Sequence, residues 1–169
     1  AFDHPDAQRL VAALQQHYVR LYGGGDGTPV DPDDFAPPLG RFLVGYVDGV
    51  AVACGGWRAR DRDAGDPAIA DGDAEIKRMY TDPVHRGLGI GRQLLSAVEQ
   101  DAAAAGRRRA VLETGVRQTD ALAFYPAAGY TPIHSFGMYR DHPGSRCFAK
   151  SLVGGSRVAP LAETRALGP

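Results

Sequence analysis

The sequence has little cysteine and no long apolar segment. No apolar run approaches the roughly 20 residues that cross a membrane, and no basic stretch followed by an apolar core marks a secretory signal. Cys54 and Cys147 lie far apart, without a CxxC pair or a histidine pair at metal-ligand spacing. These absences argue against a membrane protein, a zinc module and a disulfide scaffold, and they make the reducing cytoplasm the expected location.

An excess of charge of one sign is also missing. The 169 residues carry 19 basic and 20 acidic side chains, a net charge of −1, so we expect no general affinity for nucleic acid. The charges are unevenly spread: residues 1–85 hold 8 basic and 14 acidic groups (net −6), and residues 86–169 hold 11 and 6 (net +5). Either the second half binds an anion and the first a cation, or the split reflects chance and solvated loops.

The composition that remains is that of one globular domain, with 44% apolar and 23% charged residues. We expect this domain to span 1–153 and residues 154–169 to form a loose tail, because periodicity is lost there. Apolar periodicity predicts, in chain order, helix 6–22, strands 41–46, 50–54 and 74–81, helix 89–105, strand 110–112, helix 119–128, and strands 130–133 and 146–152. That order predicts a mixed α/β sheet.

Local signals add detail to three of these elements. Asp3 or Asp6 is expected to cap the first helix, and Gly55-Gly56 to mark a bulge or a close backbone approach late in the second strand. In strand 74–81, simple alternation places Glu75, Lys77 and Met79 on one face and Ile76, Arg78 and Tyr80 on the other, unless a bulge intervenes.

The most informative segment runs from Arg86 to Gly91 and reads Arg-Gly-Leu-Gly-Ile-Gly. It follows a predicted strand and opens a predicted helix. Glycines let a chain curl with its amides pointing inward, and a helix start adds unpaired N–H groups and a positive dipole end. Together these features favour a phosphate cradle, although the glycines could serve only a tight turn.

Two common phosphate motifs do not fit this segment. The GxxxxGK[ST] string of nucleotide hydrolases is absent, which disfavours that class. The dinucleotide fingerprint GxGxxG fails because position 92 is arginine. The segment instead fits R-x-x-G-x-G through Arg86, Gly89 and Gly91.

The surroundings of the segment are similar to those in the GNAT superfamily of N-acetyltransferases. Residues 74–81 read Ala-Glu-Ile-Lys-Arg-Met-Tyr-Thr before Asp82-Pro83, and Ala-Leu-Ala-Phe-Tyr at 121–125 leads to Gly129-Tyr130. The resemblance covers about residues 73–133 firmly. It implies a single α/β (α+β) domain with a mixed, mainly antiparallel sheet, a splayed parallel strand pair and flanking helices.

The resemblance also implies acetyl-CoA as co-substrate, bound where the two parallel strands splay apart, and no metal. Backbone of the first splayed strand would pair with the pantetheine arm, amides of 86–91 would hold the pyrophosphate, and an amide near Met79 or Tyr80 would polarise the thioester carbonyl. Gln118 stands where the family often has an asparagine facing the cofactor arm. The implied cofactor-binding residues are Met79, Tyr80, Thr81, Arg86, Gly87, Leu88, Gly89, Ile90, Gly91, Arg92 and Gln118.

Two side chains match catalytic positions of the family. Glu75 matches a carboxylate that sometimes takes the proton of the amine, and its alternative is a solvent-facing or salt-bridged strand residue. Tyr125 matches the tyrosine that protonates the leaving thiolate, and its alternative is an aromatic ring packed on the sheet. Pro126 departs from the family pattern and predicts a kink that could displace Tyr125.

Other ionisable side chains are ambiguous. Arg78, Tyr80 and Glu113 either point into a substrate cleft or simply pack and pair, and His17 is expected in the core or at its boundary. The loop before the last strand often borders the acceptor site in the family, so the resemblance implies that place for three side chains near it, namely His134, Tyr139 and His142.

The predicted function is transfer of an acetyl group from acetyl-CoA to a primary amine, by direct attack in a ternary complex. The acceptor is expected to be a small molecule, with no nucleic-acid or membrane partner, and a homodimer stays open. The alternatives are an acyl-CoA-binding sensor with little turnover and a protein N-acetyltransferase. Aspartate-rich loops at 31–34 and 61–73 are expected near the acceptor, where they would attract an ammonium ion.

Overall fold

A computed structural model describes residues 1–63 and 65–154, which form one six-stranded sheet with three α-helices. The elements are α1 (Pro5–Tyr22), β1 (Gly40–Val47), β2 (Val50–Arg60), β3 (Asp73–Thr81), α2 (Ile90–Ala104), β4 (Arg109–Gly115), α3 (Thr119–Ala127), β5 (Thr131–Ile133) and β6 (Ser145–Ser151). The strand order is β1-β2-β3-β4-β6-β5, and every neighbouring pair is antiparallel except β3 and β4. The predicted element order and mixed sheet are confirmed. The tail expected at 154–169 lies, from residue 155 on, outside the described residues.

Strand β2 runs further than predicted because its two glycines stay within the sheet. A side chain on Gly56 would bring its Cβ to 2.5 Å from the Arg41 carbonyl oxygen, so only glycine fits the close approach. The register with β3 also shifts between Cys54 and Gly56. The glycine pair therefore marks both the bulge and the close approach, and the strand continues to Arg60.

The start of α1 corrects the predicted cap. Pro5 occupies the first helical turn, and His4 is the N-cap residue, whose Nδ1 accepts a hydrogen bond from the Asp6 amide at 3.2 Å. Proline suits the first helical position because it has no N–H to leave unpaired. This early start moves the cap away from Asp3 and Asp6. Gly23 ends the helix in a left-handed conformation, with φ of 79°.

The parallel pair β3 and β4 separates part way along its length. Its register runs from Asp73 opposite Arg109 to Glu75 opposite Val111, and no pairing continues beyond. Past that point β3 bulges, because Arg78 takes a left-handed φ of 58° and the register with β2 shifts. The splay expected from the family resemblance is thus present.

The bulge overturns the simple alternation predicted for β3. Glu75 and Lys77 face away from the core under α2, as expected for residues two apart. Met79 was expected on that same face, but it packs against the core cluster that contains Ile76. Tyr80 packs on the opposite face, against the cluster that contains Leu10. One residue in a left-handed conformation is enough to invert the faces that follow.

The two faces of the sheet are covered differently. Helices α2 and α3 cover one face, where Leu95 and Val98 pack against Trp57 in the largest core cluster. Each such buried aliphatic side chain stabilises the fold by about 1.5–3 kcal/mol. On the other face, α1 covers one part through Leu10, and a loop covers another part through Phe136. The part of this face that lies between α1 and the loop is left open and forms a pocket. Among the described residues, no helix has both the length and the apolar character that a membrane crossing requires.

Candidate active site

A cleft of about 660 Å³ lies at the open end of the splay, between β3, the start of α2, and α3. Ten of the eleven residues predicted to bind the cofactor line it, and so does Tyr125. Leu88 is the exception, because its side chain is 66% exposed outside the cleft. His17 of α1 closes one side, at the boundary position expected for it, and burial followed by the charge of Arg86 lowers the pKa of its imidazole. The tertiary structure therefore brings the predicted cofactor residues together.

The glycine-rich segment forms the wall of this cleft at the start of α2. Gly87 and Gly89 both have φ near +78°, which an L side chain rarely adopts. Gly89 is the N-cap residue, and no side chain of the described residues 1–63 and 65–154 caps the first amides of the helix. These amides and the helix dipole favour an anion. Arg86 lies beside them and donates to the Thr81 carbonyl oxygen at 3.2 Å. Arg92 instead links α2 to α3 by donating to the Ala127 carbonyl oxygen at 2.8 Å.

Tyr125 stands at the inner end of the cleft with its ring buried. The ring packs against Tyr130 and Phe148 at centroid distances of 5.5 and 6.4 Å. Its hydroxyl makes no hydrogen bond within residues 1–63 and 65–154, and burial raises its pKa. Pro126 does not displace the tyrosine, because it lies in the last turn of α3 with only Ala127 after it. The amides of residues 128 and 130 then hydrogen-bond the Tyr125 carbonyl oxygen at 2.9 and 3.1 Å.

A second pocket of about 300 Å³ opens on the other face of the sheet, between α1, the β3 bulge and the loop before β6. Gln118 lines both pockets, so they meet beside the splay. Tyr139 and His142 line it as predicted, whereas His134 does not. Its other titratable side chains are Tyr18, Tyr22, Asp26, Lys77, Arg78 and Glu113.

Glu113 is the carboxyl group of β4 in this second pocket. It lies two residues beyond Val111, where pairing with β3 has already ended. Its Oε1 accepts a hydrogen bond from the Ser145 hydroxyl at 3.2 Å. Burial raises the pKa of Glu113 above its usual range, and the nearby charge of Lys77 only partly opposes this. A carboxyl group with a raised pKa is a stronger base, so Glu113 is suited to accept a proton.

Glu75 has a different environment, although it is on the neighbouring strand. Its side chain is buried, and its Oε2 accepts hydrogen bonds from Arg58 at 2.8 Å and Arg60 at 2.9 Å. Burial alone would raise the pKa of Glu75, but Lys77 and Arg58 offset it and hold the pKa below its usual range. Glu75 lines neither pocket. The salt-bridged alternative that the sequence left open is the arrangement found.

The aspartate-rich loops do not reach the acceptor side, contrary to expectation. None of the eight aspartates at 31–34 and 61–73 lines the second pocket. Four of them pair instead with arginines in or next to the strands: Asp73 with Arg109 at 2.6 Å, Asp34 with Arg58 at 3.0 Å, Asp61 with Arg107 at 3.2 Å and Asp66 with Arg60 at 3.7 Å. The aspartate in the pocket is Asp26, from the loop after α1. The sequence offers one indication of this residue, which is that Asp26 is the single acidic residue in the glycine-rich segment 23–27.

A splayed parallel pair with an uncapped glycine helix start at its open end is the architecture of acyl-CoA N-acyltransferases, as the resemblance implied. The profile of the Acetyltransferase (GNAT) family matches residues 11–130, and the chain belongs to this family. The IAA acetyltransferase of Azospirillum brasilense is 35% identical over 144 residues, covering 85% of this chain and 89% of that protein.

Two further relatives agree with the family. A solved structure described as an acyl-CoA N-acyltransferase from Klebsiella pneumoniae superposes with a TM-score of 0.72 at 30% identity, covering 90% of this chain and 93% of that one. The aminoalkylphosphonate N-acetyltransferase of Salmonella typhimurium is 38% identical over 60 residues, which are 36% of this chain and 39% of that protein. The protein is therefore an acetyltransferase by family.

Proposed function

We propose that the protein transfers an acetyl group from acetyl-CoA to the primary amine of a small molecule, by direct attack in a ternary complex. The observation that carries this proposal is the pair of pockets that meet at the splay, with Gln118 lining both. One pocket has the features of a phosphate and acyl-carrier site, and the other presents a proton acceptor. Two substrates could thus approach the same point from opposite faces of the sheet.

The cleft residues fit acetyl-CoA. Gly87 and Gly89 carry no Cβ and have open space beside them, and the uncapped amides at the start of α2 offer partial positive charge to an anion. We assign the pyrophosphate to the backbone of 86–91 and the pantetheine arm to the backbone of 79–81. Bound there, the co-substrate supplies an activated acetyl thioester. The chain itself supplies binding, orientation and proton transfer.

We assign the base to Glu113 and the acid to Tyr125. An alkyl ammonium group has a pKa of about 10, so it must lose a proton before its nitrogen can attack. Glu113 takes that proton, since Glu75 is held by two arginines away from either pocket. As the C–N bond forms and the C–S bond breaks, Tyr125 gives its proton to the departing sulfur. An amide at Met79 or Tyr80 stabilises the charge on the carbonyl oxygen.

A small acceptor is favoured over a protein side chain. The second pocket is only about 300 Å³. A hydrogen bond from the Gly27 amide to the Tyr139 hydroxyl, at 2.9 Å, connects the loop after α1 to the loop before β6 and so closes one side of the pocket. The relative named for aminoalkylphosphonate N-acetylation supports a small amine. The sensor alternative depended on a displaced Tyr125, and Tyr125 lines the cleft. A cytoplasmic location and a homodimer stay predictions.

The first experiment measures acetyl-CoA binding by calorimetry and thiol release with a panel of small amines. Gly91→Val should weaken acetyl-CoA binding at least tenfold, because even a Cβ there would lie 3.2 Å from Thr81 Oγ1 and 4.0 Å from the Phe124 ring. Ala97→Val is the matched control, since it adds the same β-branched side chain to an exposed position of α2.

Two outcomes would contradict the proposal. Unchanged acetyl-CoA affinity in Gly91→Val would remove the glycine segment from the site. Binding of acetyl-CoA without thiol release for any amine would favour the sensor.

A further inference from the structure

The second pocket contains two buried cations from consecutive residues of the β3 bulge. Lys77 and Arg78 are each only 8% exposed, and both line the pocket. Buried cations are usually paired, because removing an unpaired charge from water costs several kcal/mol. Their partners therefore show whether the cluster is complete without a ligand.

Arg78 is only partly satisfied. Its Nη1 donates to the Asp26 carboxylate, and its Nη2 donates to the Thr28 carbonyl oxygen at 3.3 Å. Its Nε is fully buried and has no hydrogen-bond partner. One donor of a buried guanidinium beside the pocket thus has no acceptor among the described residues.

Lys77 has carboxylates nearby but no hydrogen bond to either. Its Nζ lies 3.6 Å from Glu75 Oε1 and 4.0 Å from Asp26 Oδ2, and it makes no hydrogen bond within the described ranges 1–63 and 65–154. Glu75 already accepts from Arg58 and Arg60, and Asp26 already accepts from Arg78. The ammonium group therefore has three N–H donors that lie near two carboxylates without a hydrogen bond to either.

Glu113 on β4 gives the same pocket a proton acceptor. A molecule with an ammonium group and an anionic group matches this arrangement at both ends. The anion completes the hydrogen bonds of the two cations, and the nitrogen is directed to the carboxylate that takes its proton. Anchoring one end also orients the nitrogen for attack.

We propose that the acceptor is an amine that carries a carboxylate or phosphonate group, bound by Lys77 and Arg78 with its nitrogen directed to Glu113. This inference rests on the proposed function and names its substrate class. The shared chemistry is a compact oxyanion on a short aliphatic amine, because the pocket is about 300 Å³.

The test on the unaltered protein compares matched amines that differ only in charge. ω-Amino acids of two to four carbons are paired with their carboxamides and with aminoalkylphosphonates of equal length, and thiol release from acetyl-CoA is followed. We expect kcat/KM to be at least tenfold higher for the anionic members. The ratio between the carboxylate and phosphonate series identifies which oxyanion the site prefers.

The outcomes separate this inference from the proposed function. Equal kcat/KM for the charged and uncharged members would overturn the anion site and leave the acetyltransferase intact. Thiol release with none of the amines would count against the proposed function itself.

A substitution then tests the assignment to Lys77. Lys77→Gln should raise KM for the anionic amine about tenfold more than KM for the carboxamide, whatever its effect on kcat. Arg62→Gln is the matched control, because Arg62 is exposed and lies outside the second pocket. An equal loss for the charged and uncharged amines would show that Lys77 has only a structural role, and if the variant does not fold, the matched amines alone decide.

Discussion

Two carboxylates on neighbouring strands have different surroundings because they lie on different sides of the point where β3 and β4 separate. Glu75 stands at the last paired position of β3, and Glu113 stands two residues past the last paired position of β4. Both face away from the core under α2. Glu75 is enclosed by Arg58 and Arg60, whereas Glu113 has a serine hydroxyl and a pocket. The same side chain therefore stabilises the sheet before the splay and is available to a substrate after it.

The physical cause is the set of neighbours that each position can reach. Where strands are paired, β2 presents Arg58 directly opposite Glu75, so a buried ion pair forms across the sheet. At Glu113 the paired neighbour of β4 is β6, which presents Cys147 opposite it and the Ser145 hydroxyl as a hydrogen-bond donor, and neither carries a charge. Burial then raises the pKa of Glu113, while ion pairs lower the pKa of Glu75.

Removing the proposed base should have the largest effect. We expect Glu113→Gln to lower kcat/KM for the amine by about 10²–10⁴-fold, because general base catalysis contributes on that scale. Acetyl-CoA affinity, measured by calorimetry, should stay unchanged. Asp48→Asn, in the exposed turn between β1 and β2, makes the same carboxylate-to-amide change far from the pockets. Full activity of the Glu113 variant would leave the base unassigned.

Removing the ion-paired carboxylate should act on stability instead. Glu75→Gln leaves the partly buried Arg58 and Arg60 without their shared carboxylate, although Asp34 and Asp66 still pair with them, so we expect a loss of about 1–3 kcal/mol. Urea unfolding at pH 7 should show this loss, with Asp48→Asn nearly unchanged. If Glu75→Gln instead unfolds at the same urea concentration as the parent but loses catalysis, the contrast between the two carboxylates is reversed.

The pH dependence of this loss has a definite sign. The pKa of Glu75 is lowered in the folded protein, so its contribution is present above the ordinary glutamate value of about 4.3 and disappears as pH falls through the folded value. The stability difference between parent and Glu75→Gln should therefore shrink as the medium is acidified. A difference that grows at low pH would contradict the ion-paired role.

Removing the proposed acid should have a smaller effect on the rate than removing the base. We expect Tyr125→Phe to lower kcat by about 10²-fold, because the leaving thiolate, with a pKa of about 8.5, departs more readily than an amine loses its proton. Acetyl-CoA affinity serves as the control readout, since the ring is kept. An unchanged kcat, where chemistry limits turnover, would make Tyr125 a packing residue only.

The smallest expected effect is a gain of stability at Glu113. A carboxyl group with a raised pKa contributes stability at low pH and loses it as pH rises through the folded value. The amide of Glu113→Gln has no such loss, so this variant should become slightly more stable than the parent as pH increases from 4 to 7. A parallel urea profile for the two proteins would show that burial does not penalise the Glu113 carboxylate.

The sequence by itself predicted the order of elements and a mixed sheet, and its resemblance to the family supplied the residues that line the cleft beside α2. These properties are local, because apolar periodicity and glycine spacing act within a few residues of chain. The segment at Arg86–Gly91 curls and opens a helix whatever packs around it, and Tyr125 follows from its place in a short helix. The effect of the unusual Pro126 also stays local, since the helix ends one residue after it and only the end of α3 is affected.

Only the tertiary structure decided which carboxylate meets a substrate. Glu75 and Glu113 look alike in the sequence, and the arginines that enclose Glu75 come from β2, 15 and 17 residues earlier in the chain. The left-handed residue Arg78 inverts the faces of β3 without any glycine to signal it. Asp26 reaches the pocket from a glycine-rich loop about 50 residues before Lys77 and Arg78. Pairing and exposure depend on which distant side chains the sheet brings together, and that information is not contained in local spacing.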